Sequence, residues 1–254
     1  METFNPKVPF CIENVGDTPV EIGIYNQSNS SHATRSDCKI SYDLKTWQNY
    51  NLIAKSSISS DDITDKLLLK NKGDRIYIKA DNYVYKENKM GCTRIIVLNA
   101  QPDGKIRARG NIASLNHGNN DKYRTNYTKL DSTEECCFDY LFDRCECLIQ
   151  APDLVFTSLV RCCYRSMFNG CTSLTQAPEL PATTLAEGCY SYMFSGCNKL
   201  NYIKCLATDI SATNCTTDWL GDVSKTGDFY CLSKAEWSSD ENGIPVGWVR
   251  HDIE

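Results

Sequence analysis

Four cysteines, Cys137, Cys163, Cys189 and Cys215, follow one another at a fixed interval of 26 residues. The interval is not confined to cysteine. Read from those marks, the chain gives CFDYLFDRCECLIQAPDLVF, CYRSMFNGCTSLTQAPELPA and CYSYMFSGCNKLNYIKCLAT. Phe142, Phe168 and Phe194 share one repeat position, with Leu220 following; Cys145, Cys171 and Cys197 share a second, and Leu148, Leu174 and Leu200 a third. Self-similarity with a period of roughly 20–50 residues means a stack of equivalent units, each burying its apolar side against its neighbours. Such a pattern predicts a solenoid, which works by its surface rather than by chemistry in a pocket.

The clear repeats cover 137–214. Within them a segment such as 186–194 places Cys189 four residues before Met193, and Tyr190 four before Phe194, which predicts a short helical turn. Gly170 and Gly196 stand where such a turn would end. Leu174, Ala177 and Leu180 then fall inward along an extended run, and Pro178 and Pro181 suit strand ends. Burying one leucine contributes roughly 1.5–3 kcal/mol, so ladders of Leu and Phe can hold neighbouring repeats together. From Cys215 the fourth unit degenerates. Residues 227–232 read as a closing strand, and 233–254 as a cap in which Trp237 and Trp248 cover the apolar end of the stack.

Residues 1–115 carry no trace of the repeat. Runs with strand chemistry recur at 20–25, 39–42, 66–69, 75–79, 93–98 and 105–112, separated by Asn-, Asp-, Gly- and Ser-rich turns. Ile76 and Ile78 alternate with polar neighbours as a half-buried strand requires, and PDG at 102–104 is a turn signal. Short strands at this spacing predict an antiparallel sandwich or compact barrel. Counting back 26 from Cys137 lands on Asn111, so 112–115 is read as the first rung and the polar 116–135 as an atypical first repeat.

The chain has 15 cysteines in 254 residues, an odd number. Disulfide frameworks belong to short secreted chains without an adequate core, whereas this chain has repeats from which to build one. Stacked side chains point in parallel, while a disulfide turns two sulfurs toward each other. Ladders of buried thiols are therefore expected. The net charge of −5 and the absence of any Lys or Arg run argue against a nucleic-acid partner. METFNPKVPFCIENVGDTPV lacks a basic start followed by an apolar stretch, so no export signal and no membrane insertion are expected.

The wording MFNGCTSLTQAPELPATTLA at 167–186 resembles the BspA-like, or Treponema-type, leucine-rich repeat. NYIKCLATDISATNCTTDWL and GIPVGW resemble the C-terminal part of such proteins from gut Bacteroidales and their phages. SYDLKTWQNY, KGDRIYIKADN and GNIASL look like the β-domain that precedes those repeats. The resemblance implies a mainly β chain: an antiparallel β-sandwich over 1–110, a short right-handed leucine-rich-repeat solenoid over 111–226, and a C-terminal cap over 227–254. It also implies adhesion at a bacterial or phage surface, and it brings no catalytic residues. Two departures stand out. Only three repeats are clear, and the first reads PDLVFTSL where the family has PELPATTL.

Zinc sites want ligands at spacings such as C-x₂-C, which Cys136-Cys137, Cys162-Cys163 and Cys145-x-Cys147 do not offer; no metal or other cofactor is expected. His117 is read as a surface histidine rather than the base of a cysteine nucleophile. Ser41-Tyr42-Asp43-Leu44-Lys45-Thr46-Trp47 resembles a degenerate Asp-box hairpin, with Trp47 packed inward. The candidate binding surface lies on the extended run facing away from the core: Gln150, Gln176 and Tyr202 at one repeat position, Asp153 and Glu179 at another. These readings combine into a non-enzymatic attachment protein of a phage particle, made in the bacterial cytoplasm. Its expected partners are other virion proteins or a host-surface protein or glycan, with a homo-oligomer compatible. An exported cell-surface adhesin is the alternative, and a glycan-active or cysteine-dependent hydrolase is the alternative of another class.

Overall fold

A computed structural model describes residues 8–28, 38–50, 52–55, 62–80, 91–100, 103–117, 129–130 and 135–254. Most of the polar stretch 116–135, His32 and Pro102 of the turn signal lie outside the described residues. The chain is mainly β and divides into two compact units, one of residues 1–127 with 147–153 and one of 128–146 with 154–254.

The first unit holds two sheets. In one, β1 (Phe10–Asn14) lies antiparallel between β7 (Arg75–Ala80) and β9 (Ile106–Arg109). β3 (Cys38–Ser41) and β4 (Gln48–Tyr50) extend it beyond β7, and β10 (Leu148–Gln150) joins parallel to β9. In the other, β2 (Val20–Ser28) pairs with β8 (Gly91–Ala100) on one edge, and with β5 (Ile53–Lys55) and β6 (Leu67–Leu69) on the other. Every strand run expected from sequence falls on a strand. The runs that sequence missed, β1, β4 and β5, are short or lack regular alternation. Ile12, Ile76, Ile78, Ile22, Ile24 and Ile95 supply buried aliphatic surface, and the Tyr50 hydroxyl donates to Asp65 O at 2.6 Å. Residues 112–115, read as a first rung, belong to this unit and run into a single turn of helix, Ser114–His117.

Register decides where the unit's buried charge sits. Glu13 on β1 lies opposite Arg75 of β7 and Arg107 of β9. Its carboxylate takes contacts from Arg107 at 2.9 and 3.0 Å, from Arg75 at 3.2 Å and from Arg109 at 3.2 Å. Burial opposes ionisation of Glu13, but the hydrogen bond and charge of Arg107, reinforced by Arg75, hold its carboxyl below the usual glutamate range.

The Asp-box-like segment forms the turn of the β3–β4 hairpin. Asp43 Oδ1 accepts from the amides of Lys45 and Thr46, both at 2.8 Å, and Leu44 adopts φ of 63°. Trp47 is half-buried, with the Lys79 ammonium 4.0 Å from its ring centre, so a cation supplies part of the cover over the ring face.

In the second unit the repeats join through their backbones. Cys162, Tyr164, Ser166, Phe168 and Gly170 donate their amides to Glu187, Cys189, Ser191, Met193 and Ser195 of the next repeat, at 2.8–3.1 Å. The amides between them close turns on their own repeat, as Arg165 N to Cys162 O and Met167 N to Tyr164 O do, both at 3.2 Å. The segments expected to be helical turns are instead overlapping β-turns, because every second amide is committed to the neighbouring repeat and cannot reach four residues back. A residue with positive φ recurs at every fourth position: Cys136, Tyr140 and Arg144, then Cys162, Ser166 and Gly170, then Gly188, Tyr192 and Gly196. Gly170 and Gly196 therefore do not end helices; they occupy a left-handed position that Arg144 and Asp222 fill in neighbouring repeats.

Gly196→Ala should cost about 1–2 kcal/mol, the left-handed penalty for a side chain. A Cβ there would meet Gly170 at an ordinary 3.5 Å, so no clash adds to it. Gly196→Asn should cost less, since asparagine tolerates that conformation. Urea denaturation of the two variants measures the difference.

Inside the stack, like sits on like. Phe142, Phe168 and Phe194 stack at 5.7 and 5.4 Å, and Phe138, Tyr164, Tyr190 and Trp219 continue at 5.7, 6.2 and 6.0 Å. Leu174, Ala177 and Leu180 face inward, as expected. Cysteines at the second repeat position tie one repeat to the one before. Cys171 Sγ donates to Phe142 O at 3.2 Å, and Cys197 Sγ donates to Phe168 O at 3.0 Å. Burial pushes the thiols of Cys197 and Cys205 up to about 12. Trp237 stacks on Trp219 at 5.3 Å and covers the end of the column.

Candidate binding site

The extended runs of the last repeats become a parallel sheet: β11 (Tyr202–Cys205), β12 (Asp228–Leu232) and β13 (Val249–Ile253). Ile203, Cys205, Phe229 and Cys231 point inward and are buried. The opposite face carries Tyr202, Lys204, Asp228, Tyr230 and His251, as strand alternation dictates. Their rings form a second ladder. Tyr202 lies 5.2 Å from Tyr230, and Tyr230 stacks on His251 at 4.4 Å. His251 Nε2 also meets Asp228 Oδ1 at 2.7 Å.

Beside this ladder runs a groove of about 490 Å³ lined by Gln176, Asn201, Tyr202, Thr226, Asp228 and Val249, with Gly227 and Gly247 in its wall. Two backbone arrangements hold it open. Gln176 bridges Tyr202 in parallel, and Asp228 N donates to Asn201 O at 2.9 Å. At Gly227 a Cβ would fall 2.6 Å from Asn201 O and 2.8 Å from the Trp248 ring, so a side chain there would displace the groove wall. The lining offers amide, hydroxyl, phenol and carboxylate groups beside one exposed aliphatic side chain, Val249. Such a mixture recognises a polar ligand by hydrogen bonds and an apolar edge.

The candidate residues separate into two groups. Gln176, Glu179 and Tyr202 belong to the second unit; Gln176 and Tyr202 line the groove, while Glu179 pairs with Lys204 at 2.8 Å along the same face. Gln150 and Asp153 belong to the first unit, and both are exposed. Sequence reasoning missed Thr226, Asp228, Tyr230, Val249 and His251. A period of 26 carries Tyr202 onto Asp228 and Lys204 onto Tyr230, the observed register, but the next interval shortens to 21, from Asp228 to Val249 and from Tyr230 to His251.

Among the described residues no group of three or more His, Cys, Asp or Glu side chains is placed to hold a metal ion, and no helix is long and apolar enough to cross a membrane. Comparison of the chain with protein-family models, with curated proteins and with solved structures finds no match.

Proposed function

We propose that this chain is a non-enzymatic attachment protein whose C-terminal sheet binds a polar surface ligand, a glycan in first place. In this reading the first unit is a β-sandwich, and the second is a short leucine-rich-repeat solenoid of the BspA-like type, closed by its tryptophan cap. The observation that carries it is the groove beside Tyr202, with Gln176, Asn201, Thr226 and Asp228 around one aromatic edge. Glycan hydroxyls pair with amides and carboxylates, and sugar C–H faces pack on exposed rings and aliphatic groups.

The buried cysteines support a place on a phage particle. Cys163, Cys171, Cys189 and Cys197 are thiols fully enclosed by the core, a chemistry suited to a chain that folds in a reducing cytoplasm before particle assembly. The second unit then meets the host surface, and the first meets the particle.

Binding of the full-length protein to immobilised bacterial surface polysaccharides, read by biolayer interferometry, tests the reading. Gln176→Ala and Tyr202→Ala should each weaken a saturable signal about tenfold, the loss of roughly 1.4 kcal/mol at one hot-spot contact. Gln150→Ala, in the other unit, should leave it unchanged. Binding that ignores both groove variants, or a sugar product released on incubation, would remove the reading.

A further inference from the structure

One pair of thiols is unlike the rest. Cys136 and Cys162 occupy equivalent positions in successive repeats, with φ of 57° and 53°, and the column continues at Gly188 with φ of 60°. The backbone holds them in step: Cys136 N donates to Arg161 O at 3.0 Å and Cys162 N to Glu187 O at 2.9 Å. The absent side chain at 188 makes room for sulfur, since Cys162 Sγ lies 3.0 Å from where a Cβ of Gly188 would stand. The Cys136 thiol hydrogen-bonds to Cys162.

Charge surrounds the pair. Arg161 lies 3.2 Å from Glu187 and 3.9 Å from Glu135, and Arg165 is held by Asp139. Adjacent Cys163 is enclosed, and burial pushes its thiol well above the ordinary range. Cys162 goes the other way. The hydrogen bond from Cys136 lowers it most, and Arg165 and Arg161 add to this against the cost of burial and the charge of Asp139. Cys136 and Cys162 keep 2% and 5% of their surface, whereas Cys163 keeps none.

We propose that Cys136 and Cys162 form an oxidant-responsive thiol pair, a modification site for hydrogen peroxide that closes to a disulfide joining two successive repeats. The Cys162 thiolate attacks one peroxide oxygen. A sulfur–oxygen bond forms, the oxygen–oxygen bond breaks, and hydroxide leaves with Cys162 as a sulfenic acid. The Cys136 sulfur then attacks the Cys162 sulfur. The sulfur–oxygen bond breaks, and the departing hydroxide takes the Cys136 proton as water. Two thiols and one peroxide give one disulfide and two waters. Register supplies the geometry, because parallel neighbours about 4.7–4.9 Å apart fall within the Cα range that a disulfide spans. The Cys136 thiol already reaches Cys162 through its hydrogen bond. This site is independent of the groove and of any ligand there.

The test uses the full chain, reduced, desalted, treated with peroxide, alkylated and mapped by mass spectrometry without reduction. A link should form between the peptides carrying these residues. It should be lost in Cys136→Ser and in Cys162→Ser, and kept in Cys137→Ser and Cys163→Ser, which also controls for the adjacent cysteines. In Cys136→Ser, dimedone should trap a sulfenic acid at Cys162. Before any oxidation, Cys162 should alkylate at neutral pH at least about tenfold faster than Cys163, since the thiolate is the reacting form. A link that survives Cys136→Ser, no link under peroxide, or equal alkylation of Cys162 and Cys163 would each overturn the proposal.

Discussion

Trp219→Ala should lower the stability of the second unit by about 3–5 kcal/mol, the range for truncating a large buried aromatic. Trp219 is the joint between the repeat columns and the cap. Its ring stacks on Tyr190 at 6.0 Å and on Trp237 at 5.3 Å, and meets Phe229 edge-on at 6.1 Å. Its indole N–H donates to Gly243 O at 3.0 Å, so truncation also strands a buried carbonyl. Stability that is a sum of neighbour terms makes the end of a stack vulnerable, because nothing beyond it compensates. Trp219→Phe keeps a ring but not the N–H and should cost less than half as much. Urea unfolding followed by far-ultraviolet circular dichroism measures both. A loss below about 1 kcal/mol for the alanine variant would mean that the cap does not rest on this ring.

The other large effect concerns charge and acid. Glu13→Gln should destabilise the first unit at pH 7 by about 2–3 kcal/mol. That falls at or below the roughly 3–5 kcal/mol for breaking a fully buried ion pair, because Arg75, Arg107 and Arg109 keep 21–41% of their side-chain surface in water. Glu13 is held below its ordinary value of 4.5 in the folded chain. The unfolded chain therefore binds the proton first as pH falls. The stabilisation from Glu13 is whole above about pH 4.5 and is lost as pH drops through the folded value. Wild type and Glu13→Gln should thus differ most near neutral pH and converge in acid. A difference that stays constant from pH 7 to 3 would show that the glutamate acts through packing rather than charge.

The repeat was legible because its inward positions recur in register, and column formation needs no more than that. The turn backbone was not. Overlapping turns with a left-handed residue every fourth position bring side chains inward at spacing four, as with Cys189 and Met193, which imitates the helical period of about 3.6. Tyr192 and Arg144 conceal the left-handed positions, since neither is a residue that signals positive φ. The cation over Trp47 went unread because nothing local announces Lys79 on a neighbouring strand. Half of the groove was visible as Gln176 and Tyr202. The other half lies past the clear repeats, where the interval falls from 26 to 21 between Asp228 and Val249, and tertiary stacking rather than sequence interval keeps His251 beside Tyr230.

The measurement that bears most directly on the cysteine-lined stack is differential alkylation of the native full-length chain, before and after denaturation, read by mass spectrometry. Cys163, Cys171, Cys189 and Cys197 are enclosed thiols, so they should resist label in the native protein and accept it fully once unfolded. Rapid native labelling of these four, or their recovery in disulfides with one another, would contradict the stack described here.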